Sequence, residues 1–235
     1  MTGADMENQK PINPKKSRLE QKREELVTRR ERYIESLGKA ARRLEAKHLQ
    51  QSFRGICLTN EFLESLDLIA AETKPKASGG ARRFAVSSLF LHECFEKLTA
   101  DFDEQFFFIT GSEIDGVFVL AQMMEFEHQK RTMMGVQGDT KSTHNLLIRL
   151  EQFGHRLLAH FHSHPGNGAD ATNPSGTDQN FQSRLESAGH LAVCAIFSRD
   201  GFIRFLRMDK DFEIEIYGTG VEKHAPNVYR LTNIH

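Results

Sequence analysis

The chain has 235 residues, of which 39% are hydrophobic and 27% are charged, so it is long enough to bury a core in one domain plus an extension. Its apolar runs are far shorter than the roughly 20 residues that cross a bilayer, and its polar first 16 residues show no secretory signal. The sequence therefore predicts a cytoplasmic protein. Cys57, Cys94 and Cys194 are scattered in apolar surroundings, which favours small core residues over a disulfide framework.

The net charge of −1 conceals a basic N-terminal segment. Residues 9–49 carry thirteen Lys and Arg against six Glu, so the rest of the chain is acidic. Residues 17–52 contain no proline and alternate in charge sign, which predicts one long helix. A second helix is predicted from Thr59 to Glu72, with Thr59 or Asn60 as its cap. The long helix can dock on its own domain, pair with a partner helix as in a homodimer, or bind nucleic acid, and the sequence leaves these alternatives open.

Glycine, proline and charge divide the chain into five segments. Residues 73–80 are rich in Lys, Pro, Ser and Gly, and mark a domain boundary. The expected division is a disordered N-terminus over 1–16, a helical extension over 17–74, a linker over 75–82, the main domain over 83–220 and a C-terminal tail over 221–235.

The main domain alternates between strand and helix patterns. The first half predicts a strand over 83–86, a helix from Ser87 or Ser88 to Leu98 with Leu89, Phe95 and Leu98 in the core, and strands over 105–110 and 116–124 around a turn over 111–116. The second half predicts a helix from Ser142 to Gly154, a strand over 156–162 and a helix over 179–187. A hairpin of strands 191–197 and 202–207 and a last strand over 212–217 complete the domain. This order predicts an α/β (α+β) domain whose mixed, mainly antiparallel sheet is flanked by helices and preceded by a long charged helix.

The most specific motif is His162-Ser163-His164-Pro165, followed by Ser175 and Asp178. In a strand, side chains two residues apart point to the same side, so both histidines can reach one ion. Catalytic zinc sites take three protein ligands and leave a fourth position for water, which suits two histidines and one aspartate. The pattern favours zinc-dependent hydrolysis.

These residues resemble the motif of the JAMM (JAB1/MPN/Mov34) metalloprotease domain, and the resemblance covers residues 83–217. The family motif is a glutamate, then His-Ser/Thr-His-Pro, then Ser-x-x-Asp. The glutamate corresponds to Glu104, which in the family opens a hydrophobic strand that closes with a glycine seven residues on, here Gly111.

The chain departs from the family pattern at two places. Phe107 stands where the family usually has a glycine, and the interval between His164 and Asp178 is three residues longer. Growth of a flexible loop costs only a few tenths of a kcal/mol in closure entropy, so the expansion removes no ligand.

The resemblance implies a role for each motif residue. One Zn²⁺ per chain would be held by His162, His164 and Asp178, Glu104 would act as general base and acid, and Ser175 would donate a hydrogen bond to the oxyanion. The implied activity is that of an isopeptidase or peptidase cleaving after the C-terminus of ubiquitin or a ubiquitin-like protein, in deconjugation or precursor processing. Its partners would be such conjugates and their activating or conjugating enzymes, as in the family's bacterial group. Residues 125–145 fall where family members contact the substrate tail.

Several residues have alternative interpretations. Asp178 can simply cap the following helix, and Asp170 is a rival third ligand. His160 lies on the same strand side as the motif histidines and is interpreted as a core residue or an outer partner of a ligand, whereas His155 is interpreted as solvated. Rivals of Glu104 as the base are Glu113 and Asp115.

Two other functions compete with the hydrolase. The chain can be a catalytically weak metal-binding scaffold, in which the longer loop has displaced Asp178 or Ser175. It can also be a DNA-repair-associated JAMM-like protein that uses its basic N-terminal arm, although nucleic acid is not the expected partner.

Overall fold

The computed structural model describes residues 17–43, 45–72, 81–124, 128–132, 135–138 and 156–234. The helices are α1 (Arg18–Arg42), α2 (Ala46–Glu72), α3 (Ser88–Leu98) and α4 (Gly176–Ser187), with a short 3-10 helix at Ala169–Thr172. The strands are β1 (Arg82–Ser87), β2 (Phe106–Ile114), β3 (Val117–Met124), β4 (His128–Thr132), β5 (Gly135–Gly138), β6 (Arg156–Ser163), β7 (Val193–Phe197), β8 (Phe202–Leu206), β9 (Phe212–Tyr217), β10 (Val221–Ala225) and β11 (Val228–Leu231). The predicted N-terminal disorder and the predicted helix from Ser142 to Gly154 lie outside the described residues.

The N-terminal extension is an antiparallel helical hairpin, not one long helix followed by a short one. Arg23 pairs with Asp67 at 3.0 Å, and nearer the tip Ser36 accepts a hydrogen bond from Ser52. A Cβ on Gly55 would lie 2.7 Å from the ring of Tyr33, so glycine allows the two helices this close approach. The prediction of a continuous helix over 17–52 was wrong because the packing of the two helices imposes a turn where the sequence has no proline or glycine.

The predicted start of the second helix at Thr59 was also wrong. Thr59 is fully buried inside α2, and its hydroxyl donates to the carbonyl groups of Gly55 and Ile56. A threonine can bond back to the preceding turn in this way without ending a helix. The hydroxyl therefore serves the helix interior instead of capping its first turn.

Nine strands form one mixed sheet in the order β10-β11-β8-β7-β6-β2-β3-β1-β9, while β4 and β5 pair separately. In the large sheet β1 runs parallel to β3 and β9, and β6 runs parallel to β7, while the other five neighbouring pairs are antiparallel. The fold is thus mixed α+β with a mainly antiparallel sheet, as the sequence predicted. Strand β6 lies in the middle of the sheet.

Helices cover both faces of the large sheet. One apolar cluster contains Leu91, Cys94 and Leu98 of α3, and the other contains Leu26 of α1 and Phe62 of α2 together with sheet residues. The helical hairpin therefore docks on its own domain, the first of the three alternatives left open. The expected core residue Leu89 is instead 67% exposed, because α3 turns the opposite side to the sheet.

The β2–β3 connection is tighter than predicted. Strand β2 continues to Ile114, and Asp115 and Gly116 have φ values of 52° and 78°, as in the two-residue hairpin turns that suit twisted strands. Gly111 thus does not close the strand but lies inside it at a register shift. A Cβ there would lie 1.8 Å from the carbonyl oxygen of Val119, so the close approach requires glycine.

The residues expected to form a C-terminal tail are part of the sheet. Strands β10 and β11 form a hairpin that pairs with β8, and Val228 and Leu231 are buried. The hairpin was missed because β10 is polar and mostly exposed, so it has no alternating apolar pattern. At the other boundary, Arg82 already belongs to β1 instead of the expected linker.

Candidate metal centre

Strand β6 positions both motif histidines. His162 is 4% exposed at the end of the strand, and His164 follows two residues later on the same side. Ser163 points to the opposite side, where its hydroxyl accepts a hydrogen bond from the Gln105 N–H, and its own N–H donates to the Gln105 carbonyl. This reciprocal pair extends the β2–β6 ladder beyond Phe106 and His162. Strand parity would have predicted the side to which Ser163 points, but not its partner.

Helix α4 supplies the carboxylate. Ser175 caps the helix, accepting from the Asp178 N–H at 3.3 Å, and its own N–H donates to Asp178 Oδ2 at 2.7 Å. The same carboxylate faces both histidines, with Oδ1 at 3.2 Å from His162 Nε2 and Oδ2 at 3.4 Å from His164 Nε2. Capping and facing the histidines, which were weighed as alternatives for Asp178, therefore occur together. Helix α4 begins at Gly176, three residues earlier than predicted.

The two histidine Nε2 atoms lie 3.3 Å apart, and each faces a different oxygen of the Asp178 carboxylate, so the three side chains form a compact triangle with four candidate ligand atoms. Zinc takes nitrogen and oxygen ligands at about 2.0–2.2 Å in a tetrahedron, whose edges are then about 3.3–3.6 Å long. The separation of the two histidine nitrogens matches one such edge. With one ligand atom from each residue, the three side chains could hold one small cation.

The tautomer of His164 is fixed by a backbone carbonyl. His164 Nδ1 lies 2.7 Å from the carbonyl oxygen of Ala171, which can only accept, so Nδ1 carries a proton and the neutral imidazole has its lone pair on Nε2, where a metal could bind. Ala171 belongs to the short 3-10 helix inside the expanded ligand loop. The expansion thus supplies the partner that orients His164, and the motif alone gave no signal for it.

The expanded loop is anchored on the β7–β8 hairpin. The Gly168 N–H donates to Asp200, and Arg204 donates to the carbonyl and the hydroxyl of Thr172 at 3.2 Å each. Asp178 keeps its place beside the histidines, so the displacement that would leave only a scaffold is not observed.

The charges of His162, His164 and Asp178 influence one another. Burial opposes ionisation of Asp178, but hydrogen bonds from His162, His164 and Ser175 hold the pKa of that carboxyl well below its usual range. Burial also opposes a charge on His164, yet Asp178 and the Ala171 carbonyl raise the pKa of that imidazole. The metal-free site is therefore stabilised by protons that a cation would replace.

Glu104 lies at the edge of the same site, although it does not open β2, which begins two residues later. The ladder pairs Phe106 with His162, and the Gln105–Ser163 hydrogen bonds continue it, so the next position opposite Glu104 is His164. Burial raises the pKa of Glu104, His164 opposes the shift and Asp178 adds to it. The pKa of Glu104 therefore depends on the charges of both His164 and Asp178.

The rival residues lie elsewhere. Glu113 pairs with Arg156 at the far end of β2, and Asp115 pairs with Arg18 in the β2–β3 turn. Asp170 belongs to neither metal-competent group found among the described residues. His155 lies outside those residues.

A second group, made of His160, His162 and Cys194, is fully buried behind the first. Cys194 Sγ lies 4.0 Å from His162 Nδ1, and His160 stacks on Phe106 with ring centroids 5.5 Å apart. Burial and the neighbouring His162 lower the pKa of His160 to about 3, so this imidazole is neutral. The group could also hold a metal.

Fold and site together define a mixed α+β protein with a candidate metal centre of two histidines and one aspartate. No family model matches the chain, and no curated protein matches it in sequence. No helix in the described part of the chain is long and apolar enough to span a membrane.

Two solved structures are similar in fold. Protein DSY2949 from Desulfitobacterium hafniense is 15% identical with a TM-score of 0.42, covering 58% of this chain and 94% of that one. AF2198, a JAB1/MPN domain protein from Archaeoglobus fulgidus, is 17% identical with a TM-score of 0.36, covering 57% of this chain and 99% of that one. Both TM-scores are below 0.5, so the likeness is partial and the function must be inferred from the site itself.

Proposed function

We propose that the protein is a zinc-dependent peptidase or isopeptidase that cleaves after the C-terminus of ubiquitin or a ubiquitin-like protein. The observation that carries the proposal is the triangle of His162, His164 and Asp178, whose side chains approach one another within 3.2–3.4 Å and can each offer a ligand atom to one zinc ion. The choice of substrate rests on the resemblance of the motif to the JAMM family.

The three residues of the triangle would hold the metal. His164 is already in the tautomer that offers Nε2, and Asp178 brings the negative charge that favours a divalent cation. When bound, zinc supplies Lewis acidity, which lowers the pKa of water and polarises a carbonyl group.

Glu104 is the proton-transfer residue in this proposal. Its carboxylate lies beside His164 and is half-buried, and its raised pKa makes it a better proton acceptor than a solvated glutamate. It would take a proton from the attacking water and return it to the departing amine. An amide nitrogen leaves readily only when it is protonated, so both transfers are needed.

Ser175 is suited to stabilise the oxyanion. Its hydroxyl oxygen accepts from the Asp178 N–H, and its hydroxyl proton, which can bond to the Asp178 carboxylate, would turn to a substrate oxygen. The side chain is exposed next to the triangle, where a substrate carbonyl can reach it. A hydrogen bond that strengthens as negative charge develops accelerates the step.

The test compares matched carboxylate variants on a ubiquitin-like protein fused through its C-terminal residue to a reporter, and on the same protein linked to a lysine side chain. Glu104→Gln should lower kcat by about 100-fold to 10,000-fold while zinc content is kept, because the change removes proton transfer and no ligand. Glu113→Gln, at the far end of β2 and paired with Arg156, should keep full activity.

The metal is tested separately. Purified protein should contain one zinc per chain, a chelator should abolish cleavage, and zinc should restore it. Undiminished cleavage by Glu104→Gln would refute the mechanism. Stoichiometric zinc without cleavage of either substrate would instead favour the scaffold function.

A further inference from the structure

Helix α4 is anchored to the sheet by a buried amide. Gln182 is fully buried and lies four residues after Asp178, on the same side of the helix and one turn further on. Phe181 and Leu185 are only partly buried against the apolar cluster below the helix. The deepest contact of α4 is therefore a polar side chain, which requires defined partners when it is buried.

Gln182 bonds in three directions. Its Nε2 donates to the carbonyl of Ala192 at 2.7 Å and to the carboxylate of Glu186 at 2.6 Å, and its Oε1 lies 2.9 Å from His160 Nε2. Because both Nε2 partners can only accept, the amide has one orientation, and Oε1 must accept from His160. The side chain thus connects α4 to β6 and to the segment before β7.

His160 makes this connection at a cost. With its proton on Nε2, the Nδ1 atom is a buried acceptor that has no hydrogen-bond partner among the residues that the structure describes. An apolar residue of the same shape would avoid that penalty. Phe181 packs edge-on against the imidazole with ring centroids 4.9 Å apart, so the consecutive α4 residues Phe181 and Gln182 both contact His160. The unpaired Nδ1 atom lowers the stability of the fold, while the contacts of His160 fix the orientation of α4.

We propose that Gln182 is a positioning residue that, through His160, holds α4 at the rotation that brings the Asp178 carboxylate to His162 and His164. The proposal rests on the zinc site of the proposed function. The Ser175–Asp178 capping box fixes where the helix begins, but it leaves the helix free to turn about its axis. The Gln182–His160 hydrogen bond, one turn later, removes that freedom.

The test measures zinc affinity, not activity. Gln182→Met keeps the length of the side chain and removes its hydrogen bonds, so the zinc dissociation constant should rise about tenfold to 100-fold, as when outer partners of metal ligands are lost. Gln179→Met is the matched control, since Gln179 is exposed on the same helix. Competition with a chromogenic chelator gives both constants, and circular dichroism verifies folding.

A double-mutant cycle separates positioning from general loosening. His160→Phe keeps the aromatic packing and removes the same hydrogen bond, so the double variant with Gln182→Met should bind zinc no more weakly than the poorer single variant. Affinity of Gln182→Met within twofold of wild type, or additive losses in the cycle, would overturn the proposal while the zinc site stands. A wild-type protein that binds no zinc would overturn both.

Discussion

Replacing Leu26 by alanine should destabilise the whole protein, because the helical hairpin is part of its core. Leu26 is 0% exposed in the cluster that also contains Leu58 and Phe62 of α2 and Val119 of β3. The lost burial accounts for about 2–3 kcal/mol. Since the neighbours belong to separate elements that cannot all close the gap, a residual cavity adds to this, and we expect a loss of about 3–4 kcal/mol in the free energy of unfolding.

Urea unfolding followed by far-ultraviolet circular dichroism measures this loss as a lower midpoint with an unchanged slope. Ile34→Ala, on the same helix at a position that is 51% exposed, is the control and should change stability by less than about 1 kcal/mol. A loss below about 1 kcal/mol in Leu26→Ala, or a separate early transition, would show that the hairpin is not packed on the sheet in solution.

Two further predictions concern stability. Gly111→Ala should cost about 3 kcal/mol, since the new Cβ meets the backbone of Val119, whereas Gly38→Ala in α1 should stabilise by about 0.5–1 kcal/mol; equal thermal midpoints would contradict this. Burial and Glu93 raise the pKa of Glu61 to about 7 in the folded state from 4.5, so the folded protein binds more protons and stability should fall as pH rises between those values. Glu61→Gln should flatten this dependence and stabilise the protein at pH 8. The gain should be less than about 1 kcal/mol, because solvent still reaches the partly buried carboxyl group and screens its charge. An unaltered pH profile would show that Glu61 does not cause it.

The parts of the fold that follow from local patterns were predicted correctly. Strand β6 with its histidines, helix α3 with its cap at Ser87 and the β7–β8 hairpin each have a periodicity and a turn or cap residue that agree with each other. The turn between α1 and α2 and the edge hairpin β10–β11 lack such signals, because both depend on packing against distant parts of the chain.

The candidate site shows the same division. Residue types and spacing identify His162, His164 and Asp178 as candidates, because the side a strand residue faces and the residue at which a helix begins are local properties. The Ala171 carbonyl and the amide of Gln182 are invisible in the motif, because their roles arise only when the loop and α4 fold against the sheet. Whether the named ligands and catalytic residues act as proposed stays a prediction for the zinc and Glu104 experiments.

The three candidate ligands are close to one another in the sequence, whereas Glu104 is far from them. All three candidate ligands lie within residues 162–178, a short segment that can close on itself with little loss of chain entropy. Glu104 reaches the site only through β2, whose first hydrogen bonds to β6 join Gln105 and Ser163, 58 residues apart. If the protein acts as proposed, mild heat or denaturant that frays this ladder should leave a segment that still binds zinc without Glu104 beside it, so cleavage would be lost before zinc is released.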